Sequence, residues 1–327
     1  MSAVSGADLN QVSADLADHM VVEKRELLEK LRTPSETEAL MSTVTGVKDK
    51  YISYTGTVGQ TLQPYQPDWT PVGGEGIKPM VAQVYMLKVD KEFKNFEQLF
   101  QTYTGWLATE GIDMEEYPIA KWIINQLFKE AALEIEMNCA TAKYVAPTAG
   151  TAGATSTMFD GFITIRNKEI TNGNIVPIGS GAFVPADIYS NFSYFIKQIP
   201  PHALRRLIMQ KRPFLMSDTN AEHLWEDFRD ENKLASDYTR TIHADGSFEI
   251  FVGTKKVRIK GLQSMEGTDA FIGTEKDNFK RMYDRTVLPN MFRIGYLKRV
   301  LYIEALLKRG YAYDKGLEVY TNDLSLT

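Results

Sequence analysis

Residues 115–143 read EEYPIAKWIINQLFKEAALEIEMNCATAK, the longest uninterrupted helical pattern in the chain. Apolar side chains recur at helical spacing along one broad face, and a narrower apolar strip follows a second face. The broad face holds Ala120, Ile124, Leu127, Phe128, Ala131, Ile135 and Ala142, and the narrow strip holds Trp122, Leu133 and Ala140. A helix with two apolar faces contacts protein on more than one side. We therefore predict one helix from Pro118 to Lys143, roughly 39 Å long, around which the rest of the chain is organised.

Composition is that of a globular protein. The 327 residues, 43% of them hydrophobic, suffice for one large domain or two modest ones with a buried core. The net charge of −5 lacks the basic footprint of a nucleic-acid-binding protein. No apolar run approaches the roughly 18 residues that cross a membrane, and the polar, acidic start differs from a secretory signal. We therefore expect folding in a reducing cytoplasm, with the single cysteine, Cys139, buried as a small apolar side chain.

An amphipathic segment opens the chain. Residues 1–50 are helical in pattern, with a short apolar face formed by Leu27, Leu28 and Leu31. This face is too thin to bury a core alone. We interpret the segment as an arm that packs on its own body or on a neighbour.

Residues 51–93 have a different character, since two predicted strands, 51–58 and 80–90, flank a stretch rich in Gly and Pro. A loop of about 20 residues is uncommon in a compact domain and is usually functional. Tyr65 and Trp69 lie within it. A flexible surface loop is one interpretation. The other is an extended arm whose aromatic side chains hold a neighbouring subunit.

Beyond the long helix, strand and helix patterns alternate. We expect a turn, a strand and a short helical piece over residues 158–173, and an α/β layer from about 178 to 285. The Tyr-rich segment 292–320 is helix or long strand by periodicity alone. Tyr302, Glu304, Tyr311 and Tyr313 would suit a long strand with one exposed side.

Motifs that carry chemistry are missing from the sequence. It contains no nucleophile elbow, no HExxH or CxxC pair and no phosphate-binding glycine loop. We therefore predict no catalytic residue, no metal ligand and no cofactor, with a soluble metabolic enzyme kept as an alternative. The basic run with Arg205, Arg206, Lys211 and Arg212 favours a solvated or intersubunit salt-bridging helix face over nucleic-acid binding.

The order of these segments resembles one family. A thin arm, an extended loop with aromatic side chains, a long helix, an α/β layer and a Tyr-rich return strand follow one another, as in the major capsid proteins of tailed bacteriophages with the Hong Kong 97 (HK-97) fold. The strings that carry the resemblance are TSTMFDGFITI, KRPFLMSDTNAEHLWEDFRDENK, KGLQSMEGTDAFIGTEKDNFKRMYD and RVLYIEALLKRGYAYDKGLEVY. It extends over nearly the whole chain after the arm.

The resemblance implies an α+β fold of the HK-97 kind with five parts. These are an N-terminal arm at 1–50, an E-loop β-hairpin at 51–93, a P domain with the spine helix at 94–178, an A domain at 179–285 and a return to the P domain at 286–327.

The resemblance also implies a structural, non-enzymatic function. Copies would assemble as pentamers and hexamers into the icosahedral head of a tailed double-stranded DNA phage, made in the bacterial cytoplasm and located in the virion capsid. Separate scaffolding, portal and decoration proteins are candidate partners. Packaged double-stranded DNA would be contacted only non-specifically, and no membrane would be involved. An encapsulin, a cellular shell of the same fold, is the alternative.

The resemblance places the expected assembly contacts in four parts of the chain. The arm, the loop, the narrow strip of the spine helix and a turn near the capsomer axis would each face a neighbour. Their residues are Leu27, Leu28 and Leu31, Tyr65 and Trp69, Trp122 and Leu133, and Met265 and Gly267.

Overall fold

The computed structural model describes residues 35–59, 61–94, 98, 101–103, 105–106, 109, 119–179, 187–232, 240–284, 292–297 and 300–322. Helices and strands are mixed in an α+β fold, as the sequence predicts. The chain divides into two compact units. Unit 1 holds the described parts of Met86–Glu136 and Asp284–Arg309, and unit 2 holds those of Glu36–Tyr85, Met137–Tyr283 and Gly310–Thr327. Leu27, Leu28 and Leu31 of the expected arm lie outside the described residues.

The elements are numbered along the described chain. The strands are β1 (Ser42–Thr45), β2 (Lys50–Val58), β3 (Glu75–Gln83), β4 (Tyr85–Phe93), β5 (Phe214–Ser217), β6 (Phe248–Val252), β7 (Lys255–Leu262), β8 (Ile272–Gly273), β9 (Phe279–Tyr283), β10 (Phe292–Leu297), β11 (Val300–Tyr313) and β12 (Tyr320–Thr321). The helices are α1 (Ile119–Asn138), α2 (Phe162–Thr171), α3 (Ile188–Gln198), α4 (Pro201–Met209) and α5 (Asp218–Glu231).

The long helix is α1, which ends at Asn138 and not at the predicted Lys143. It is therefore roughly 30 Å long. It ends early because the following residues enter an extended segment, where Lys143 N–H donates to the carbonyl of Ser156. Among the described side chains of α1, the buried apolar ones are Ile123, Phe128, Ala131 and Ile135, of which the last three belong to the predicted broad face. No helix among the described residues is both long and apolar enough to cross a membrane.

The narrow strip expected on this helix does not continue along it. Leu133 is 53% exposed, whereas Ala140 lies beyond the helix end and is fully buried. The prediction that Ala140 belongs to an apolar strip of this helix is therefore wrong. The side chain of Trp122 lies outside the described residues. Cys139 is buried, as predicted.

The Tyr-rich segment forms strands. In unit 1, β10 and the first part of β11 form an antiparallel hairpin, and β4 pairs with β11. Leu301, Ile303 and Ala305 are buried, while Tyr302 and Glu304 between them are exposed. This alternation has the period of a strand with one exposed side, so the strand alternative is confirmed and the helix alternative is wrong. Tyr311 and Tyr313, which belong to the same prediction, are buried, so the exposed side does not extend to the end of β11.

In unit 2, β1 lies parallel to β9, and β9 is antiparallel to the last residues of β11. β2 and β3 form a two-stranded antiparallel structure, called the ribbon below, paired from Lys50↔Gln83 to Val58↔Glu75. The predicted strand 80–90 covers the end of β3 and the start of β4. It is interrupted at Val84, whose N–H donates to the carbonyl of Asp49.

The α/β layer contains the predicted elements. Its sheet has the order β12-β8-β5-β7-β6, with β5 parallel to β7 and the other neighbours antiparallel. Helices α3, α4 and α5 contribute to one apolar core with this sheet. At its centre, the ring of Phe192 meets those of Phe214 and Phe271 edge-on, at 5.9 and 5.1 Å between centroids. Tyr320–Thr321 joins the sheet from beyond the expected A-domain boundary at 285.

Helix α2 replaces the strand expected within residues 158–173. The β-branched side chains favour a strand locally, but burial recurs at helical spacing through Phe162, Ile165 and Glu169. The N–H groups of Phe162 and Ile163, which a helix start leaves without internal partners, donate to the carbonyls of Cys139 and Ala140. Contacts with residues distant in the sequence therefore determine that this segment is a helix and not a strand.

We expect Gly161→Ala to lower the free energy of unfolding by about 2–3 kcal/mol. A Cβ at Gly161 would lie inside van der Waals contact of the Ala140 carbonyl, which is backbone and cannot move aside. Gly153→Ala is the matched control, because its Cβ would meet only the Thr157 hydroxyl at an ordinary 3.6 Å. Urea denaturation of both variants checks this, and equal stabilities would contradict it.

Candidate assembly surfaces

The inner face of the ribbon is bonded to other residues of unit 2, the unit to which the ribbon belongs. The Tyr51 hydroxyl donates to the Asp314 carboxylate at 2.6 Å, and the Ser53 hydroxyl donates to the carbonyl of Tyr313 at 3.2 Å. Met80 on β3 is buried on the same side. A two-stranded ribbon alone is only marginally stable in water. These contacts therefore hold the ribbon in place.

The Tyr51 contact persists over a wide pH range. Burial, together with the neighbouring carboxylate of Asp314, raises the pKa of Tyr51 to about 12. The hydroxyl keeps its proton and remains a donor at neutral pH. Lys280 pairs with the second oxygen of Asp314 at 3.2 Å, which fixes the orientation of the acceptor.

The opposite face of the ribbon is apolar and exposed. We call Ile52, Tyr54, Ile77, Pro79 and Val81 the outer ribbon face. Ile52 lies opposite Val81 and Tyr54 opposite Pro79 in the strand register. The four larger side chains are between 51% and 69% exposed. The sequence analysis missed this surface, because spacing of two shows that residues share a face but not which face points outward.

The loop that joins the two strands carries the expected aromatic side chains. Tyr65 and Trp69 are 94% and 91% exposed. The side-chain amide of Gln63 donates to the carbonyl of Thr70 at 2.7 Å, and Gln66 donates to the Thr70 hydroxyl. These bonds close the loop on itself and present both rings to the outside.

The turn after β7 differs from expectation at Met265. Its side chain is fully buried, so it anchors the turn and offers no surface to a neighbour. Gly267 is exposed, with φ +75°, a conformation that favours glycine. Glu266 beside it accepts hydrogen bonds from the N–H and hydroxyl of Thr219 at 2.9 and 3.0 Å. The exposed part of this turn is therefore Glu266 and Gly267.

The last part of the expected arm at 1–50 is held by buried polar contacts, and its residues 42–45 form strand β1, so the helical prediction is wrong there. Glu38 pairs with Arg281 at 3.1 Å and accepts a hydrogen bond from the Tyr311 hydroxyl at 2.8 Å. The hydroxyls of Thr37 and Ser264 lie 3.0 Å apart. Sequence reasoning missed this anchor, because its partners are more than 200 residues apart.

The basic run 205–212 is engaged within the chain. Arg206 pairs with Glu275 at 2.7 Å. Arg212 donates to the carbonyl of Leu40 at 2.7 Å and to that of Thr274. These contacts favour a salt-bridging role over nucleic-acid binding, but the bridge lies within the chain and is not the predicted intersubunit one. Among the described residues, no group of three or more His, Cys, Asp or Glu side chains could hold a metal ion.

Asp160 holds the segment that follows the ribbon, through a hydrogen bond with Tyr85. It accepts hydrogen bonds from the Tyr85 hydroxyl, from the N–H of Tyr144 at 3.1 Å, and from Lys168 at 2.6 Å. Burial alone would raise the pKa of Asp160. The bonds from Lys168, Tyr85 and Tyr144 outweigh burial and hold its pKa below the ordinary value of 3.8.

Comparisons by sequence and by structure give different results. No family model and no curated protein matches the sequence. By structure, the chain is similar to one from the procapsid of satellite phage P4, which includes the size determination protein. Identity is 11%, the TM-score is 0.53, and 92% of this chain and 90% of that one are covered. It is also similar to one from the capsid of cyanophage A-1(L), at 11% identity and a TM-score of 0.50, over 91% of this chain and 94% of that one.

The chain has an HK-97-like capsid fold. Similarity over nine-tenths of both chains, at an identity too low to reflect shared motifs, places it in this fold, so the fold prediction is confirmed. The five-part division of the HK-97-like fold and the residues that contact neighbours stay predictions.

Asp160→Asn should lower the free energy of unfolding by about 2 kcal/mol at pH 7, since charged hydrogen bonds are lost. Because the folded pKa of Asp160 lies below its ordinary value, this stabilisation is present above that value and is lost as pH falls through the folded pKa. The difference between the two proteins should stay constant above about pH 5 and shrink as pH falls below the ordinary pKa of 3.8. Denaturation of dilute subunits across pH checks this, with Asp68→Asn on the exposed loop as control. Equal stabilities of the two proteins at pH 7 would contradict the assigned role.

Proposed function

We propose that this protein is a major capsid protein that assembles into the icosahedral head of a tailed double-stranded DNA phage. The observation that supports this is the capsid fold, shared over nearly the whole length of both compared chains. The proposed role is structural and non-enzymatic, with pentamers and hexamers as the capsomers and the virion capsid as the location. The solved structures named above are phage capsids, so the encapsulin and metabolic-enzyme alternatives are not favoured.

The proposed mechanism is assembly through many modest contacts. The loop with Tyr65 and Trp69 lies over an adjacent subunit, and the arm extends along another. The turn with Gly267 lies near the capsomer axis. Contacts of one copy with several neighbours add up, so weak individual contacts form a stable shell. Cyclic symmetry repeats each contact around the ring and closes it.

The other partners follow from this role. Scaffolding, portal and decoration proteins are separate chains in this proposal. DNA is confined by the shell and contacted only non-specifically, which agrees with the net charge of −5. Synthesis takes place in the cytoplasm of the host bacterium.

The purified chain should form capsomer rings or shells of megadalton size. Replacement of residues 61–73 by a short Gly-Ser turn should leave a folded subunit that no longer forms shells, because Tyr65 and Trp69 are removed while the paired strands remain. Electron microscopy and light scattering measure particles, and circular dichroism measures folding. A chain that stays monomeric or dimeric in all conditions contradicts the function. Normal shells from the shortened chain contradict only the role of the loop.

Leu133→Asp should weaken assembly more than folding. Leu133 is an exposed apolar residue on α1, and exposed substitutions usually change the free energy of unfolding by less than about 0.5 kcal/mol. Gln126→Asp, at an exposed polar position of the same helix, controls for the added charge. Sedimentation and thermal melting are the measurements. Loss of soluble subunit would identify Leu133 as part of the subunit core.

A further inference from the structure

A cavity of about 370 Å³ opens within unit 2, between α2 and the turn that follows β7. Sites for small molecules in proteins have volumes of about 300–1,000 Å³, so this cavity has room for a small organic group. The side chains that line it are those of Thr141, Ile163, Thr164, Asn167, Thr268 and Asp269.

Three of these polar side chains can only accept further hydrogen bonds. The Thr164 hydroxyl donates to the carbonyl of Ala142 at 2.8 Å, and the Thr268 hydroxyl donates to that of Met265 at 2.7 Å. A hydroxyl has one proton and two lone pairs, so both oxygens are left as acceptors. The third side chain is Asp269, whose ionised carboxylate is an acceptor only. A ligand of this cavity therefore has to donate hydrogen bonds.

The cavity carries a negative charge that its own walls do not balance. Asp269 is half-buried, and no Lys, Arg or His lines the described cavity. The side-chain amide of Asn220 donates to Oδ1 of Asp269 at 3.3 Å and to the carbonyl of Thr268 at 3.2 Å. These bonds hold the carboxylate in place and leave Oδ2 for a ligand. Hydrogen bonds between a cationic donor and a carboxylate are about twice as strong as neutral ones, so a cation is the preferred donor.

An organic cation suits the cavity better than a metal ion does. Divalent ions bind through several carboxylate and carbonyl oxygens, whereas this cavity offers a single carboxylate. Its volume is also many times the roughly 30 Å³ that one water molecule occupies. The buried side chain of Ile163 adds an apolar wall. Lysine and arginine side chains lay their hydrocarbon stems along such apolar surface and keep the charged end at polar groups.

We propose that this cavity binds an alkylammonium or alkylguanidinium group, with the charge at Asp269 and the stem against Ile163. A lysine or arginine side chain of another chain carries such a group, and so does a free polyamine. The proposed site lies within one subunit, so it goes beyond the proposed shell function and does not rest on it.

The test is a titration of dilute, dissociated subunits with butylguanidinium, butylammonium and uncharged 1-butanol, followed by NMR. We expect both cations to bind saturably and 1-butanol not to bind. Asp269→Asn keeps an acceptor for Asn220 and removes the charge, so it should raise the dissociation constants of both cations at least about tenfold. Asp68→Asn removes the same charge from the exposed loop and should leave these constants unchanged.

Three results would overturn the proposed site. The first is that neither cation binds saturably to the unsubstituted chain, or that 1-butanol binds as tightly, and this comparison needs no variant. The second is an unchanged dissociation constant for a folded Asp269→Asn. The third is displacement of the cations by MgCl₂ where NaCl of equal ionic strength has no effect, which would identify a metal site.

Assembly distinguishes the two sources of the cation. If a side chain of another chain fills the cavity, Asp269→Asn raises the subunit concentration needed for half-maximal assembly in amine-free buffer, and spermidine inhibits assembly of the unsubstituted chain. If a free polyamine fills it, both chains assemble alike without amines. Either result supports the shared chemistry of the site. A chain that never forms particles contradicts the shell function, while the titration of dilute subunits still decides whether the cavity binds a cation.

Discussion

The buried contact between Glu38, Arg281 and Tyr311 fixes how β1, β9 and the end of β11 pair in unit 2. All three side chains are almost completely buried, and a charge in that environment is tolerated only when it is paired and hydrogen-bonded. Arg281 also donates to the Thr43 hydroxyl at 3.2 Å, opposite which it lies in the parallel pairing of β1 with β9. A shift of one residue would leave a buried charge unpaired, and breaking such a pair costs about 3–5 kcal/mol. The register of these strands is therefore tightly specified.

The ribbon depends on this arrangement, because its inner face rests on residues that follow the same strands. Tyr51 bonds to Asp314, which comes directly after β11, and Asp314 in turn pairs with Lys280 of β9. Gly310 on β11 lies so close to the backbone of residues 83–84 that a side chain there would overlap it. One network of close contacts thus links the register of these strands, the course of the chain after the ribbon and the direction of the outer ribbon face.

The sequence predicted which segments form helices and strands better than it predicted what those segments pack against. Long periodic patterns identified α1, the strands of the α/β layer and the order of segments, because periodicity reports which residues share a face. The prediction was wrong where residues distant in the sequence determine the local structure. At α2, the first N–H groups bond to the carbonyls of Cys139 and Ala140. At Met265, burial of the side chain depends on packing around the turn. Glu38 and Arg281 are 243 residues apart, and no local pattern pairs them. Of the candidate contacts, Tyr65, Trp69, Leu133 and Gly267 are exposed in the structure.

The two faces of the ribbon also bear on how such a protein avoids premature association. An exposed apolar strand pair is a hazard for uncontrolled pairing through its free edges, yet an interface that must form repeatedly needs apolar area. The inner contacts of Tyr51 and Ser53 resolve this conflict, because they fix the orientation of the ribbon on the folded subunit. A fixed ribbon can be covered only by a partner of matching shape, so affinity comes from the apolar row and selectivity from its placement. In the proposed shell, contacts that are weak singly become stable only when several neighbours are present.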